Sequence, residues 1–486
     1  MRLARVRWRR VGARFPVAVP VALVTLLLAV HRPATRAVDL VSRAEALPLY
    51  GAREGRTCDN CHTVPNAWTN PRLRERKCNL SCMTCHVNPT GGGLRTVSGR
   101  FFGQSTLPML YASHRGYKDW NRHLLKFLNR EQVRRNRLPD LAWGRPLGKR
   151  SKLAFDQDRY TGLRADPLLL LGLDLRLASW FIEEKVNVFP MQLDTHLALH
   201  PVEHLTASVT AGVLARSKSF AATFTERVPF MVKDVFLMLH ELPFRSYVRV
   251  GRFLPPFGTH LDDHTSPIRR DFELDLGILE SRVAGVEVGF APNYPYFHLA
   301  VFRPGPKEHV PTSAVDETGM PPFVGVKGWG LAASAGWRDL GWQLGVSGMV
   351  RERSSLDGGD TRSLSLQWGF NPWYFSDRVP LTYLGELAFG SHQRELSDSH
   401  AAQLALYQEL DYLPFNGLNL RVKYDLSDPD LRVAGDQVHR VSWGGDWIAL
   451  PGLSLTGEVR WRRSGGGGTT KVTSGLDGML YVRAWY

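Results

Sequence analysis

The stretch LNLRVKYDL, residues 418–426, decides the fold class of this 486-residue chain. Its apolar and polar residues alternate: Leu418, Leu420, Val422, Tyr424 and Leu426 against Asn419, Arg421, Lys423 and Asp425. Successive side chains of a β-strand point to opposite faces, so this period of two predicts a strand with one apolar and one polar face. LLGLDLRLASWF (residues 170–181) and LSLTGEVRW (residues 453–461) repeat the pattern.

These runs are long for a soluble β-sandwich, whose strands have about five or six residues. Most reach the roughly 9–11 residues of a tilted membrane strand. We count sixteen strands, starting near Leu168, Phe189, Leu205, Pro229, Phe244, Arg282, Tyr296, Gly325, Gly341, Thr361, Pro380, Ala401, Gly417, Gln437, Gly452 and Leu476. The sequence therefore predicts an all-β transmembrane barrel of about 16 antiparallel strands over residues 160–486.

The connections between the predicted strands alternate in length, which supports the barrel independently. Tight turns are predicted at 201–204, 241–244, 292–295, 339–341, 414–417 and 450–452, and longer loops at 254–281, 304–323, 391–399, 427–435 and 464–475. Bacterial outer-membrane barrels have short periplasmic turns and long external loops. We expect every tight turn at one end of the barrel.

The N-terminus has the layout of an export signal. Arginine-rich residues precede an apolar run over residues 15–30, which is short for a membrane span and contains Pro16 and Pro20. We assign residues 1–37 to a signal peptide, with an end that could extend to residue 46; an uncleaved anchor is the alternative. The formal net charge is +15, with the basic excess in the first 150 residues. Because an exported protein does not meet nucleic acid, we do not interpret these basic residues as a nucleic-acid-binding surface.

All five cysteines lie between residues 58 and 85, and four of them form two C-x-x-C-H motifs. The motifs are Cys58, Cys61 and His62, then Cys82, Cys85 and His86. In this pattern two thiols attach the porphyrin and the adjacent His binds the iron, so it predicts two covalently attached c-type haems. A Cys₄ zinc site and a pair of disulfides are the alternatives, but neither accounts for the repeated His. Cys78 has no assigned role.

The predicted haem-binding domain covers residues 47–150 and is small and mostly irregular or helical. His62 and His86 are the proximal ligands, and His114 and His123 are candidate distal ligands, with Met83 and Met109 as thioether alternatives. The glycine-rich NPTGGGLR, residues 88–95, lacks the lysine of a phosphate loop. We interpret it as a place where the backbone passes close to a porphyrin face.

A polar loop is predicted after the fifth strand. GRFLPPFG (residues 251–258) and the loop after it look similar to the corresponding part of polyanion-type porins. The loop contains His260, Asp262, Asp263, His264, Asp271, Glu273 and Asp275. These side chains either line the lumen or bind a cation such as iron, unless the loop is simply a solvated one.

A dihaem cytochrome c-type domain followed by a sixteen-stranded barrel resembles the fused outer-membrane cytochrome-porin family. The resemblance implies an electron conduit in the bacterial outer membrane, with the cytochrome domain periplasmic or inside the lumen. Its partners would be membrane lipid, a periplasmic electron carrier and an extracellular redox partner or metal. Two haem motifs here replace the single motif of the best-known iron-oxidising members, so electron direction and any iron oxidoreductase activity stay open. The alternatives are a solute (anion) porin with a haem-bearing plug or sensor, and a plug with zinc or disulfides.

Overall fold

The computed structural model describes residues 81–84, 86–96, 168–182, 185–202, 204–214, 230–263, 265–274, 281–292, 294–305, 326–339, 341–354, 358–375, 379, 381–393, 399–415, 418–450, 452–465 and 473–485. They all belong to one compact unit, Ala46–Tyr486. The predicted signal peptide and most of the predicted cytochrome domain lie outside the described residues, so their boundaries stay predictions. No helix in the described ranges is both long and apolar enough to cross a bilayer.

Within the described residues, sixteen antiparallel strands form a closed barrel. They are β1 (Leu169–Ile182), β2 (Lys185–Val202), β3 (Leu205–Leu214), β4 (Phe230–Leu242), β5 (Ser246–Phe253), β6 (Val283–Phe290), β7 (Pro295–Arg303), β8 (Gly328–Arg338), β9 (Trp342–Arg353), β10 (Thr361–Phe370), β11 (Leu381–Gln393), β12 (His400–Phe415), β13 (Leu418–Asp428), β14 (Val438–Leu450), β15 (Leu453–Ser464) and β16 (Thr473–Trp485). Each strand pairs with its sequence neighbours, and β1 also pairs with β16, with Leu177 opposite Val482. The ring therefore has no free edge, and the predicted sixteen-strand barrel is confirmed.

The second strand differs most from the prediction. It begins at Lys185, four residues before the predicted start at Phe189. The pairing of β1 with β2 shifts register near Pro190, where Met191 is the extra residue of a bulge. A bulge lets a strand pass a proline that cannot donate to the ladder. The hairpin therefore continues past Pro190 to a two-residue connection at 183–184.

The two ends of the barrel differ in their connections. At the short-turn end, residues 203–204, 243–245, 291–294, 339–341, 416–417 and 451–452 join strands, and 371–380 carries the short helix α2 (Pro372–Phe375). The predicted tight turns all lie at this end. At the opposite, long-loop end, the connection between β5 and β6 carries helix α1 (Pro267–Asp271). The β1–β2 turn is also at the long-loop end and is tight, so the expectation that every tight turn would share one end was wrong for it.

The outer surface of the barrel is apolar and the inner surface polar. In β13, Leu420 is exposed on the outside, whereas Lys423 and Asp425 are buried on the inside. In β9, Leu344 is 51% exposed and Ser347 only 2%. This is the alternation that the opening stretch predicted. Such an outer face is stable only against lipid, because large exposed apolar areas are unfavourable in water.

Aromatic side chains lie at both ends of the outer surface. Exposed examples are Phe290, Tyr294, Trp337, Trp342 and Phe370 at the short-turn end, and Trp180, Trp329 and Trp461 at the long-loop end. Tyr294 stacks on Trp337 with 5.7 Å between ring centroids. An apolar band between two aromatic girdles, on a closed barrel with an even strand number, is the architecture of outer-membrane proteins. The chain is therefore located in the bacterial outer membrane.

Candidate functional site

The residues that follow β5, 254–274, fold back into the lumen and are called the inward loop here. The backbone N–H of Gly258 donates to Ser347 Oγ in β9 at 2.8 Å. That of Thr259 donates to Glu386 Oε2 in β11 at 3.0 Å. Farther along, the Ser266 hydroxyl donates to Asp425 Oδ1 in β13 at 2.8 Å. The inward loop therefore crosses the lumen from β5 to the opposite wall.

An apolar cluster holds the inward loop against the wall. Its members are Phe253, Phe257, Leu261, Ile268, Phe272, Leu274, Val283, Ala300, Phe302, Ala332, Met349, Leu384, Ala388, Ala405 and Tyr407. Phe257 and Phe272 stack with 6.3 Å between centroids, and both are buried. Full burial of one such side chain stabilises by about 1.5–3 kcal/mol. This part of the lumen is a packed apolar core.

Three acidic residues of the inward loop are ion-paired with the wall. The pairs are Asp262 with Arg176, Asp263 with Lys423, and Glu273 with both Arg351 and Arg353. Their N–O distances are 2.8, 2.7, 2.7 and 2.8 Å in that order. Among the described residues, no group of three or more His, Cys, Asp or Glu is placed to hold a metal ion. These carboxylates line the lumen, which is one of the two predicted roles; His264 and Asp275 lie outside the described residues, so cation binding by the loop stays a prediction.

Two titratable groups of the inward loop have shifted pKa values. Burial lowers the pKa of His260 to about 3, helped by the positive charge of Arg269, and the ring nitrogen Nε2 lies 3.1 Å from the Pro255 carbonyl oxygen. Burial alone would raise the pKa of Asp263, but the charges of Lys423 and Arg440 outweigh it and hold the pKa well below the usual value. The loop therefore carries a neutral imidazole and an ionised carboxylate at neutral pH.

Residues 81–84 and 86–96, called the motif segment, contain the described part of the second C-x-x-C-H motif. Cys82–Thr84 form one 3₁₀ turn, and the backbone N–H of His86 donates to the Cys82 carbonyl at 2.9 Å. His86 then pairs with Arg95 in an isolated antiparallel bridge, and Val87 N–H donates to Leu94 O at 2.9 Å. The segment is thus a helical turn followed by a narrow hairpin. A helical turn brings the first cysteine and the histidine of the motif together.

Three contacts join the motif segment to the wall. Arg338, the last residue of β8, donates from Nη1 to Cys82 Sγ at 3.5 Å. The Arg95 guanidinium lies over the ring of Trp485, at the end of β16, with 5.4 Å from Cζ to the ring centroid. Arg249 in β5 donates from Nη1 to Asn88 Oδ1 at 2.9 Å. Because these strand positions are near the short-turn end, the second motif lies at that mouth of the lumen.

Arg249 links the motif segment to the inward loop. It is fully buried, and its Nη2 donates to Glu287 Oε2 at 2.7 Å and to the Leu254 carbonyl at 3.4 Å. Its guanidinium lies 4.2 Å from the ring centroid of Phe253. Glu287 also accepts a hydrogen bond from the Tyr247 hydroxyl. One buried cation therefore contacts the wall, the start of the inward loop and the motif segment.

The described part of the second motif fits thioether attachment of a haem. The Cys82 thiol is free and half-buried, so it is not in a disulfide. Beside it run Gly91, Gly92 and Gly93, all with positive φ, a conformation that L side chains rarely adopt. A Cβ at Gly91 would lie 3.6 Å from Cys82 Sγ, and one at Gly92 would meet nothing within 4 Å. The hairpin backbone therefore passes within van der Waals distance of the thiol at Gly91 and faces open space at Gly92.

The other predicted site residues lie outside the described residues. They are Cys58, Cys61, His62, Cys85, His114 and His123, together with Cys78. The first motif, the distal ligands and the two-haem cofactor assignment therefore stay predictions. Of the predicted haem-binding residues, the structure describes Cys82 and His86, which one helical turn brings together, and the thioether alternative Met83, which lies within that turn.

Sequence reasoning missed the residues of the wall that contact the motif segment. Arg249 and Arg338 each occupy a polar position of an alternating strand, as many other residues do. Their distance in sequence from Cys82 gives no sign of contact. The one available signal was that SYVRVGRF, residues 246–253, places an arginine at an inward position directly before the predicted polar loop.

No protein-family model matches the sequence, and no curated protein matches it either. Solved structures of similar shape include an anion-selective porin from Comamonas acidovorans, with a TM-score of 0.46 and 12% identity over 65% of this chain and 99% of that one. The outer membrane channel DcaP of Acinetobacter baumannii has a TM-score of 0.45 and 11% identity, covering 65% and 97%. OmpF of Salmonella typhi, in complex with daunomycin, has a TM-score of 0.45 and 12% identity, also covering 65% and 97%.

Proposed function

We propose that this protein is an outer-membrane electron conduit. Two c-type haems would carry electrons between a periplasmic carrier and an extracellular redox partner or metal such as iron. The observation that carries the proposal is the contact of the motif segment with the inner wall, through Asn88 and Arg249 and through Cys82 and Arg338. A haem attached at Cys82 would thus lie at the mouth of the barrel rather than in a separate soluble domain.

The physical need for such a cofactor follows from the membrane. The apolar band of a transmembrane barrel is about 25 Å tall, and a bilayer offers no redox group of its own. A c-type haem supplies one-electron chemistry when it is bound. Cys82 and Cys85 would hold it covalently and His86 would bind the iron, with Cys58, Cys61 and His62 doing the same for the first haem. His114 and His123 stay candidates for the distal positions.

The inward loop supports a conduit over an open pore. Its apolar cluster and its ion pairs occupy the lumen between β5 and β13, where a solute would otherwise pass. Electron transfer needs no water-filled path. A lumen narrowed by this loop is therefore compatible with a conduit and unfavourable for rapid diffusion of large solutes.

The test is reconstitution of the full-length, haem-matured protein into liposomes that contain a redox dye. We expect covalent haem on a stained denaturing gel, and bleaching of the dye when a membrane-impermeant donor is added outside. Replacing both Cys82 and Cys85 by Ala should remove one of the two haems and stop bleaching, while empty liposomes stay unbleached. Haem present without dye bleaching would contradict the conduit, and no covalent haem would favour a zinc or disulfide plug.

A second candidate is a solute porin with a haem-bearing plug or sensor. It is favoured by a polar gap between the inward loop and the wall, lined by Arg176, Met191, Asp262, Asp263, Thr265, Arg421, Lys423, Glu458, Met479 and Tyr481. Small ions could enter a gap of this chemistry. Conductance in a planar bilayer separates the candidates, because a porin gives stable ohmic steps and anion selectivity under a salt gradient.

A further inference from the structure

Two basic residues lie on adjacent strand ends at the long-loop end of the barrel. Arg303, the last residue of β7, and Lys327, directly before β8, are both exposed. The backbone N–H of Val326 donates to the Pro304 carbonyl at 2.9 Å, which joins the residue before Lys327 to the residue after Arg303. The two cations are therefore neighbours on the rim, and they are called the basic pair here.

The basic pair lies on the outer, lipid-facing side of the wall. Arg303 shares a strand face with the exposed Val301, and Val326, on the other side of the backbone from Lys327, is buried. The exposed Trp329 follows two residues after Lys327 and belongs to the aromatic girdle of this end. The pair therefore lies where the apolar band ends and the headgroups of the external leaflet begin.

The charges of the basic pair are not neutralised by a described carboxylate. Neither member has an ion pair among the described residues, whereas Arg351 and Arg353, on the inner face of β9, both bind Glu273. Glu352, on the outer face of β9, accepts a hydrogen bond from Trp329 Nε1 at 2.5 Å, and β8 separates it from β7. A cation beside acyl chains is costly unless a polar or anionic group meets it.

We propose that the basic pair binds the phosphate of a lipid in the external leaflet. The Arg303 guanidinium would donate to two phosphate oxygens, and the Lys327 ammonium would supply a second charge. The acyl chains would lie along the exposed apolar side chains below the pair, Val301 and Leu331. This continuity of positive charge with apolar surface favours a lipid over free phosphate. The site is on the outer face and is independent of the proposed electron conduit.

Arg463 provides a matched control on another part of the rim. It is an exposed arginine at the long-loop end of β15, on the same strand face as the exposed Trp461. It lies opposite His439 of β14 and Ser474 of β16, so neither neighbouring strand places a lysine or arginine directly beside it. Arg463→Gln therefore tests for a general loss of positive charge at the rim.

The experiment measures lipid binding by the full-length protein in detergent. The probes are lipid A with two phosphates, the same lipid with its phosphates removed, and inorganic phosphate as a competitor. We expect the Arg303→Gln, Lys327→Gln double variant to bind the phosphorylated lipid on the order of 30-fold more weakly than the wild type, since each cation near an anionic surface contributes roughly fivefold. Arg463→Gln should bind it like the wild type.

Three outcomes would overturn the proposal. They are equal affinities of the double variant and Arg463→Gln, equal binding of the phosphate-free lipid, and displacement of the lipid by inorganic phosphate, which would indicate a free-phosphate site. Heat-dependent migration on a denaturing gel reports whether each variant forms the barrel. If the double variant does not, Arg303→Lys keeps the charge but not the paired donors, and it should bind more weakly than the wild type; wild-type affinity there would also count against the site.

Discussion

The inward loop and the motif segment both occupy the lumen, but different forces hold them. The inward loop has an apolar cluster and ion pairs to strands on several sides of the wall. The motif segment, over its described residues, meets the wall mainly through single contacts of Asn88, Cys82 and Arg95. The comparison teaches that the barrel sequence determines the position of the loop strongly and that of the segment weakly. A covalently bound group would add the missing contacts of the segment.

Glu386→Ala should have the largest effect, because it weakens the attachment of the inward loop to the wall. Glu386 is 1% exposed and accepts hydrogen bonds from Arg269, from Thr259 N–H at 3.0 Å and from Ser365 Oγ at 2.8 Å. Removal of one partner of a buried ion pair costs about 3–5 kcal/mol, because the other charge stays buried. We expect release of the inward loop, a lower thermal midpoint and larger single-channel conductance in a planar bilayer.

Glu386→Gln is the control for that prediction, since it keeps the shape and an acceptor for the Thr259 N–H. It should lose less stability and open the lumen less often than the alanine variant. Equal conductance in Glu386→Ala and the wild type would show that the loop does not depend on this pair.

Asn88→Ala should affect only the motif segment. It removes the hydrogen bond from the Arg249 guanidinium and the local bonds of Asn88 Oδ1 with Thr90. A hydrogen bond to a charged group contributes about 1.5–3 kcal/mol. In haem-free protein, we expect faster labelling of Cys82 by a thiol reagent, with the melting of the barrel unchanged.

Asn88→Asp is the matching control, because a carboxylate still accepts from Arg249 and Thr90. It should label at the wild-type rate. If the alanine and aspartate variants label alike, the link from Asn88 to the wall does not hold the segment.

Acid should loosen the inward loop by a smaller amount. The pKa of His260 is about 3 in the folded protein and about 6.5 when exposed. Between these values the open form binds more protons, so stability is complete above about pH 6.5 and falls by up to about 1.4 kcal/mol per pH unit below it. Proteolysis of the loop should therefore increase from pH 7 to pH 5.

His260→Gln should flatten this dependence, because glutamine does not titrate and can still donate to the Pro255 carbonyl. Asp263, whose pKa is also lowered, stays ionised between pH 5 and pH 7. It therefore adds little to the pH dependence of stability in that range. The same pH dependence in both proteins would assign the acid effect to another group.

The sequence predicts the barrel well because each strand carries its own two-faced pattern. The starts of β3, β10 and β13 fall within a residue of Leu205, Thr361 and Gly417. The prediction from sequence fails at β2. The local pattern starts this strand at Phe189, but a bulge at Pro190 lets the hairpin continue to Lys185. The inner contacts could not be predicted, because the pairing of Glu386 with Arg269 or of Asn88 with Arg249 depends on closure of the ring. Residue spacing could place Cys82 and His86 together, but not Cys82 and Arg338.

The pairing of Asp262 with Arg176 has a consequence for the order of assembly. Asp262 also lies 3.2 Å from Arg483, so one carboxylate bridges β1 and β16. These are the first and last strands of the barrel, and their pairing closes it. Contacts between distant residues form slowly, because the chain between them must first be ordered. The inward loop can therefore fold before the sheet is closed, and its Asp262 can then bind both Arg176 of β1 and Arg483 of β16 as these strands pair. Loss of Asp262 should delay closure more than it weakens the finished barrel.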